Sequence, residues 1–255
     1  MLVRKLLLKL LGFARYLRVI SYVFLATWRF RIYLPAHKQV RFLEQLVKPG
    51  DVCIDIGANL GYFAVPLSRI TGPGGKVYAV EPVATFRKVL MQNLARFALP
   101  NSEVLPYALG DADEKVIELA TPEVEGIVRH GRTEIVTEIT TGSTAFTHQA
   151  TMMRPQTLFG GLSRLDYIKC DVEGYELHIV PHLLELLRKY RPVIEIEIDP
   201  EENKRQIIDM LAPLGYVPCF LASEGLQRFN LQQTAHLKEI ELYFLPPARV
   251  AELAV

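Results

Sequence analysis

The chain alternates between short apolar runs and longer amphipathic stretches, and this alternation restricts the possible fold more than any other feature. The strand-like runs are Val52–Ile56, Lys76–Val80, Glu103–Tyr107, Tyr167–Cys170 and Val193–Ile198. Helical patterns lie between most of them, at Gly61–Ile70, Thr85–Phe97, Tyr175–Tyr190 and Glu202–Leu214. Such an order is typical of βαβ units. The sequence therefore predicts an α/β fold with a mostly parallel sheet and helices on both faces.

Two segments depart from this alternation. Between Ala112 and Arg164 the pattern gives way to the β-like pieces "KVIELA" and "TEIVTEIT", with Gly142, Ser143 and Thr144 in a loop. We expect this insertion to recognise the substrate, because loops carried by a rigid scaffold often do so. Near the end, "YVPCFLA" and "KEIELYFLPP" have no helix between them, which predicts an antiparallel pair that completes the sheet.

Length and cysteine usage predict the domain organisation. A chain of 255 residues, half of them hydrophobic, can bury one substantial core. We expect a basic helical extension over residues 1–35 and one domain over residues 36–255, with the insertion at residues 112–164. Three scattered cysteines, Cys53, Cys170 and Cys219, argue against a disulfide framework or a CxxC metal pair. Because this usage is typical of a reducing compartment, we expect a cytoplasmic protein.

The N-terminal segment is strongly basic. Residues 1–43 contain nine Lys or Arg and no acid, whereas the remainder contains 20 basic and 28 acidic residues. The longest uncharged run, Val19–Trp28, falls short of the roughly 20 residues that span a bilayer. On a helical wheel, one side gathers Arg4, Arg15, Arg18 and Arg29, and the other gathers Leu2, Leu6, Leu10, Phe13, Leu17 and Phe24.

Two hypotheses explain this basic amphipathic pattern. The helix could lie on an anionic membrane surface as a peripheral contact. Alternatively, its apolar side could cover the domain or a dimer partner. Since the rest of the chain is acidic, we expect no nucleic-acid partner.

A glycine turn follows the first strand-like run, in the order Asp55-Ile-Gly57-Ala-Asn59-Leu-Gly61. A dinucleotide site prefers GxGxxG, in which the middle glycine lets the backbone approach a pyrophosphate. Asn59 occupies that middle position and places a side chain there. Asp55 at the mouth of the turn would repel a pyrophosphate but suits a ligand with an ammonium or sulfonium group.

An acid at the end of the second strand extends the argument. Glu81 follows Gly61 by twenty residues and can accept hydrogen bonds from two ribose hydroxyls. Nicotinamide dinucleotide sites use the same device, so Glu81 alone does not discriminate. Together with Asp55, Gly57 and Gly61, it favours S-adenosylmethionine, which carries both an ammonium and a sulfonium group.

A second group of polar residues lies in "DYIKCDVEGYEL". An apolar strand containing Lys169 ends at Asp171, and Glu173 and Gly174 then open a predicted helix. Because parallel strands end at one edge of the sheet, we expect Asp171 and Glu173 to face the ligand beside Asp55. Lys169 is expected to pair with a neighbouring acid.

These stretches resemble the FkbM-type S-adenosylmethionine-dependent methyltransferases. The resemblance rests on "PGDVCIDIGANLGYFAV", "VYAVEP", "ALGD" and "DYIKCDVEGYEL" and covers roughly Lys48 to Ile198. It implies a class I methyltransferase (Rossmann-like) fold, with seven strands of which one is antiparallel. It also implies O-methylation of a sugar, a glycan or another small hydroxylated molecule. The chain departs from the family pattern before the fourth strand, where Leu158-Phe159 replaces the usual Leu-Asp pair.

The resemblance also implies roles for individual residues. Those implied for donor binding are Asp55, Gly57, Asn59, Gly61, Glu81, Ala108, Asp111 and Asp171. For the general base that takes the acceptor's proton, the candidates are Asp171, Glu173 and, from the insertion, His148.

Three alternatives remain at this level. A divalent ion could be held by Asp171 with Glu195, Glu197 and Asp199, but no complete ligand set is evident, so no metal site is predicted. A nicotinamide-dependent oxidoreductase is disfavoured by Asn59 and Asp55. The chain could also be a non-catalytic membrane-surface protein that retains the fold.

Overall fold

A computed structural model of the chain describes residues 2–124, 127–136, 144–233 and 236–253. The helices of eight residues or more are α1 Leu2–Leu11, α2 Phe13–Arg29, α3 Lys38–Leu46, α4 Ala64–Thr71, α5 Ala84–Phe97, α7 Glu176–Tyr190 and α8 Glu201–Leu211; the shorter ones are α6 Pro155–Phe159 and α9 Pro247–Glu252. The strands are β1 Val52–Ile56, β2 Lys76–Val80, β3 Ser102–Leu105, β4 Tyr107–Leu109, β5 Lys115–Val124, β6 Ile127–Val128, β7 Glu134–Ile135, β8 Thr144–Met153, β9 Tyr167–Cys170, β10 Val193–Glu197, β11 Val217–Leu221, β12 Leu226–Arg228 and β13 Glu241–Leu245.

The main sheet has the order β12-β11-β13-β10-β9-β1-β2-β3. Strands β10, β9, β1, β2 and β3 pair in parallel, and β13 is antiparallel to both of its neighbours. The predicted antiparallel pair is therefore present as β11 and β13. The seven expected strands form the sheet, and β12 adds an eighth, which pairs with β11 within the segment predicted only as a polar connection.

Apolar side chains cover both faces of the sheet. Ile54 and Ile56 of β1 pack on one face with buried residues of α7 and α8. Cys53 points to the other face, where it joins a cluster with residues of α3, α4 and α5. Since successive strand residues face opposite sides, a strand buried on both faces needs the near-continuous apolar sequence that β1 has.

The third strand is shorter than predicted. The sequence suggested a strand over Glu103–Tyr107, but β3 ends at Leu105 and Tyr107 opens β4 in a second sheet. The residue between them, Pro106, has no backbone N–H to donate to a neighbouring strand. The proline therefore marks the point at which the chain leaves the main sheet.

The insertion forms a separate sheet of order β4-β8-β5-β6, and β7 pairs with β5. Its main feature is the long antiparallel pair of β5 and β8. The "TEIVTEIT" piece was predicted as a strand, but only Glu134–Ile135 of it is a described strand. Its residues 137–140, together with Gly142 and Ser143 of the predicted loop, lie outside the described residues. Thr144 begins β8 rather than lying in a loop.

The basic N-terminal segment forms two helices that are separated at Gly12, where the backbone φ is 70°. One side of α2 packs on α5 and buries Tyr16, Leu17 and Leu25. At Leu17 the apolar side of the helical wheel therefore covers the domain. Leu6 and Leu10 of α1 are exposed and do not cover it, and Gly12 interrupts the single helix on which the wheel was drawn. Among the described residues, none of the helices combines the length and the apolar character that a membrane-spanning segment requires.

Candidate active site

The glycine turn after β1 brings the backbone close to the end of β9. Gly57 has a φ of 80°, and its N–H donates to the carbonyl oxygen of Val80 at 3.0 Å. A Cβ at Gly57 would lie 1.9 Å from the carbonyl oxygen of Asp171. No other residue fits this position, because both the positive φ and the close approach require the absence of a side chain.

Asp55 lies at the base of this turn and is 2% exposed. The Ala64 N–H at the start of α4 hydrogen-bonds to its carboxylate, but within the described residues its Oδ2 has no hydrogen-bond partner. Burial raises the pKa of Asp55 to about 7, against the opposing effect of the Lys169 charge. An unpartnered buried carboxylate oxygen is costly. This geometry therefore suits a cationic or hydrogen-bond-donating ligand group.

Glu81 lies at the end of β2 and is also buried. Its two oxygens accept hydrogen bonds from the Asn59 N–H at 2.8 Å and the Val83 N–H at 2.7 Å. Burial raises the pKa of Glu81 to about 8 in spite of these bonds. Because each carboxylate oxygen has a second lone pair, the fixed carboxylate can still accept from a ligand hydroxyl.

Asn59 adopts a φ of 48°, and its side-chain Nδ2 donates to the carbonyl oxygen of His130 at 3.0 Å. The amide group thus links the turn to the insertion. A dinucleotide pyrophosphate needs this space free for a close backbone approach.

Three carboxylates from two strand ends meet at the end of β9, where two of them line the cleft. Asp171 and Glu173 follow β9, Glu197 ends β10, and one oxygen of each lies within 4.8 Å of the others. Burial, followed by the charge of Asp171, raises the pKa of Glu173 to about 8 and that of Glu197 to about 7. Burial also raises the pKa of Asp171. Carboxyl groups that titrate near neutral pH are candidates for proton transfer.

The acids were expected near the start of α7, and the structure refines this expectation. Glu173 has a φ of 53° and lies in the turn that precedes the helix. Glu176 is the acid at the first turn, and its Oε1 accepts from the N–H of Gly174 at 3.1 Å. Since Glu176 satisfies the backbone donors there, Glu173 is left facing the cleft.

Lys169 is almost fully buried beneath the same carboxylates. Its Nζ lies 2.7 Å from Glu241 Oε1 and 3.7 Å from Asp171 Oδ2. Burial opposes the charge of Lys169, but the surrounding carboxylates, led by Glu241, raise its pKa. The expected pairing with a neighbouring acid is therefore present, and Lys169 acts as a fixed cation behind Asp171.

The cleft between the turn and the insertion contains most of the predicted residues. Its lining includes Asp55, Gly57, Asn59, Glu81, Ala108, Asp171 and Glu173. Gly61 shapes the turn from behind, where a Cβ would lie 2.9 Å from Leu90. Asp111, predicted together with Ala108, has an exposed side chain and does not line the cleft.

His148, the third candidate base, does not line the cleft either. Its Nε2 lies 3.2 Å from Thr121 Oγ1, which in turn lies 2.8 Å from Thr133 Oγ1. Thr133 borders the cleft together with His130. The structure thus places His148 two hydrogen bonds behind the lining. Sequence reasoning passed over His130, because its segment carries no recognisable motif.

The carboxylates of β10 also separate into different environments. Glu197 joins the cleft group, whereas Glu195 is fully buried beside Tyr167 and Lys169. Asp199 lies beyond the strand end and is exposed. Of the four residues suggested for a divalent ion, Asp171 and Glu197 are brought together, whereas Glu195 and Asp199 lie apart from them. The third carboxylate of the group is Glu173.

The strand order, the glycine turn after β1 and the acid after β2 define the class I methyltransferase fold. Residues 55–218 match the family described as the methyltransferase FkbM domain. The chain belongs to this methyltransferase family, in agreement with the resemblance seen in its motifs.

Among curated proteins, AMB antimetabolite synthetase AmbE of Pseudomonas aeruginosa is 26% identical over 180 residues, which are 58% of this chain and 8% of that protein. Protein-L-isoaspartate O-methyltransferase of Aeropyrum pernix is 37% identical over 49 residues, 19% of each protein. The chain thus spans a small part of the length of these two relatives.

Among solved structures, the methyltransferase FkbM from Methylobacillus flagellatus shares 15% identity over 80% of this chain and 50% of that one, with a TM-score of 0.48. An S-adenosylmethionine-dependent O-methyltransferase from Thermotoga maritima shares 16% identity over 84% of this chain and 66% of that one, with a TM-score of 0.46.

Proposed function

We propose that the protein transfers a methyl group from S-adenosylmethionine to a hydroxyl group of a sugar, a glycan or another small molecule. The observation that carries the donor assignment is the buried Asp55 carboxylate, whose Oδ2 has no partner among the described residues although it faces the cleft. A donor bearing an ammonium and a sulfonium supplies the positive charge that this carboxylate lacks.

Each part of the donor has residues of suitable chemistry. Gly57 leaves room for close approach to the backbone, and Glu81 offers fixed acceptor oxygens for ribose hydroxyls. Apolar side chains beside the turn, among them Phe86 and Ala108, provide a surface on which an adenine ring can pack. When bound, the donor supplies an electrophilic methyl group on sulfur that an acceptor oxygen can displace in line.

The protein must also remove the proton of the acceptor hydroxyl. Glu173 is our first candidate for this base, since it lines the cleft and its pKa of about 8 suits proton transfer near neutral pH. Asp171 is fixed beside it by Lys169 and would orient the acceptor. O-methylation is favoured because a hydroxyl needs such a base, and two carboxylates, Asp171 and Glu173, line this side of the cleft.

Nicotinamide dinucleotide fits the same cleft less well. Asn59 fills the space in the turn with a side chain that is hydrogen-bonded to the insertion. The Asp55 carboxylate would repel a pyrophosphate.

Isothermal titration with S-adenosylmethionine, S-adenosylhomocysteine and NAD tests the donor assignment. We expect the two adenosyl ligands to bind. Asp55→Asn should weaken binding of the methyl donor more than binding of its product, which has lost the sulfonium charge but keeps the ammonium group. Asp209→Asn removes an exposed carboxylate on α8 and serves as the matched control. Binding of NAD alone, or equal affinities in wild type and Asp55→Asn, would contradict the proposal.

The acceptor class is tested by transfer of a labelled methyl group to a panel of saccharides, amines and thiols. We expect the labelled methyl group to be transferred to a hydroxyl oxygen of a saccharide. Glu173→Gln should abolish most transfer while donor binding stays intact, and Glu185→Gln, on the exposed side of α7, should behave as wild type. Transfer to nitrogen or sulfur with hydroxyl acceptors inert would overturn the O-methylation proposal.

A further inference from the structure

The two N-terminal helices present an exposed surface that is both cationic and apolar. We call this surface the basic surface. It consists of exposed residues of α1, of α2 and of the segment that follows α2, namely Lys5, Leu6, Lys9, Leu10, Arg15, Arg18, Val19, Val23, Arg29, Phe30, Arg31 and Ile32. Leu10 is 70% exposed and Phe30 is 72% exposed. Because several large apolar side chains of one segment are exposed, this segment is a candidate interaction surface.

The arrangement of these residues follows from the helical period. With residues about 100° apart, Arg15, Arg18 and Arg29 fall within about 60° of one another on α2. Val19 and Val23 lie next to them on the same exposed half of the helix. The opposite half is already packed on the domain. The exposed half therefore offers cations and apolar groups side by side.

Buried contacts hold α2 in place without any partner. Asn93 Nδ2 donates to Ser21 Oγ at 2.9 Å and to the carbonyl oxygen of Leu60 at 2.8 Å. The Phe24 ring lies 4.7 Å from that of Tyr62, measured between centroids. The α2 part of the basic surface is thus preformed, and docking on it does not require α2 to leave the domain.

Charge identifies the partner. Residues 1–43 carry nine Lys or Arg and no acid. A second copy of this chain docked through the same surface would bring like charges together, which is unfavourable. An anionic bilayer complements the cations and also accepts the apolar side chains at the boundary between headgroups and acyl chains.

We propose that the basic surface binds anionic lipid bilayers, with α1 and α2 lying along the membrane plane. The proposal does not depend on the methyl-transfer activity, since none of its residues lines the cleft. The Phe13 ring, at the start of α2, stacks on Phe146 of β8 at 5.0 Å between centroids. Binding would therefore hold the insertion, and the cleft it borders, close to the bilayer.

Vesicle flotation of the full chain tests this inference. The probes are vesicles of phosphatidylcholine alone and of phosphatidylcholine mixed with phosphatidylglycerol. We expect flotation only with the anionic vesicles and loss of binding at high salt. Arg15→Gln, Arg18→Gln and Arg29→Gln together should lower the partition coefficient on the order of a hundredfold, since each cation near the surface contributes about a factor of five.

Two further variants separate the contributions. Leu10→Ser with Phe30→Ser should weaken binding at unchanged charge, because it removes apolar groups that enter the interface. Lys88→Gln, Lys115→Gln and Arg188→Gln remove three exposed cations elsewhere and should leave binding unchanged. Circular dichroism checks that every variant remains folded. Absence of wild-type flotation, or equal loss in the control triple variant, would overturn the proposal, as would a dimer formed through this surface that binds no vesicles.

Discussion

Replacing Asp55 by asparagine should make the protein more stable while it weakens donor binding. The carboxylate is buried, and its Oδ2 has no partner among the described residues. Its pKa is about 7 in the folded state, against the ordinary value of 3.8 for an aspartate in water. Ionisation therefore penalises the folded state but not the unfolded one.

The pH dependence follows from this difference. Below pH 3.8 the Asp55 carboxyl is protonated in both the folded and the unfolded state, so its contribution to the free energy of unfolding is fully present. As the pH rises from 3.8 to about 7, the unfolded state ionises first and wild type loses stability. At about 1.4 kcal/mol per pH unit, the loss approaches about 4 kcal/mol above neutrality.

Asparagine has the shape of the protonated acid and no charge, but it leaves one amide group short of a partner, which costs about 1–2 kcal/mol. We therefore expect the free energy of unfolding of Asp55→Asn to exceed that of wild type by about 2–3 kcal/mol at alkaline pH and to lose this advantage in acid. Urea denaturation across the pH range gives the free energy of unfolding for both proteins.

Asp209→Asn is the control, because its exposed carboxylate lies outside the cleft. Two results would refute the reasoning: an Asp55→Asn protein no more stable than wild type at alkaline pH, or an advantage that does not change with pH. Donor titration of the same samples shows whether the added stability accompanies lost affinity, as expected when strain is retained for binding.

Three other predictions concern the turn, the base and the N-terminal helices. Gly57→Ala should lower the free energy of unfolding, measured in urea, by at least about 3 kcal/mol, because its Cβ would collide with the Asp171 carbonyl oxygen. The control Gly50→Ala, at a similar positive φ but in open space, should lower it by about 1 kcal/mol. Equal losses would show that the close approach of the Asp171 carbonyl is unimportant. The turnover number should rise as the pH passes through about 8, the pKa of Glu173. Glu173→Gln should reduce the turnover number about a hundredfold and make it independent of pH. A variant with the pH profile of wild type would assign the base to another residue. Asn93→Ala should cost about 2 kcal/mol in thermal unfolding through loss of two buried hydrogen bonds, and a negligible loss would mean that these bonds do not anchor α2.

Local signals were sufficient to predict seven of the eight strands of the main sheet. Strands β1, β2 and β9 were predicted with the bounds that the structure has, because each is a short apolar run that ends at a polar or glycine residue. The glycine turn after β1 was predicted for the same reason, since the positive φ at Gly57 and the spacing of its glycines are encoded by neighbouring residues. Where Pro106 interrupted an apolar run, the pattern alone extended the strand too far.

Contacts between distant segments were not predictable in this way. β8 contains polar residues in succession, and its pairing with β5 depends on a partner more than twenty residues away. Glu173 follows β9 and Glu197 ends β10, and only the sheet order shows that they meet. The same limit explains why His130 was missed and why His148 was expected in a cleft that it does not line.

Gly57 and Asp55 would have different fates in a descendant that no longer used a methyl donor. Gly57 is imposed by the chain path, since a Cβ would collide with the Asp171 carbonyl, so selection for folding alone retains it. Ionised Asp55 weakens the fold, so mutational drift would remove it once no ligand compensated its charge. A homologue that keeps the glycine but lacks the acid should therefore have preserved the architecture and abandoned the ligand. For sorting active from inactive homologues, the acid is the more informative of the two positions.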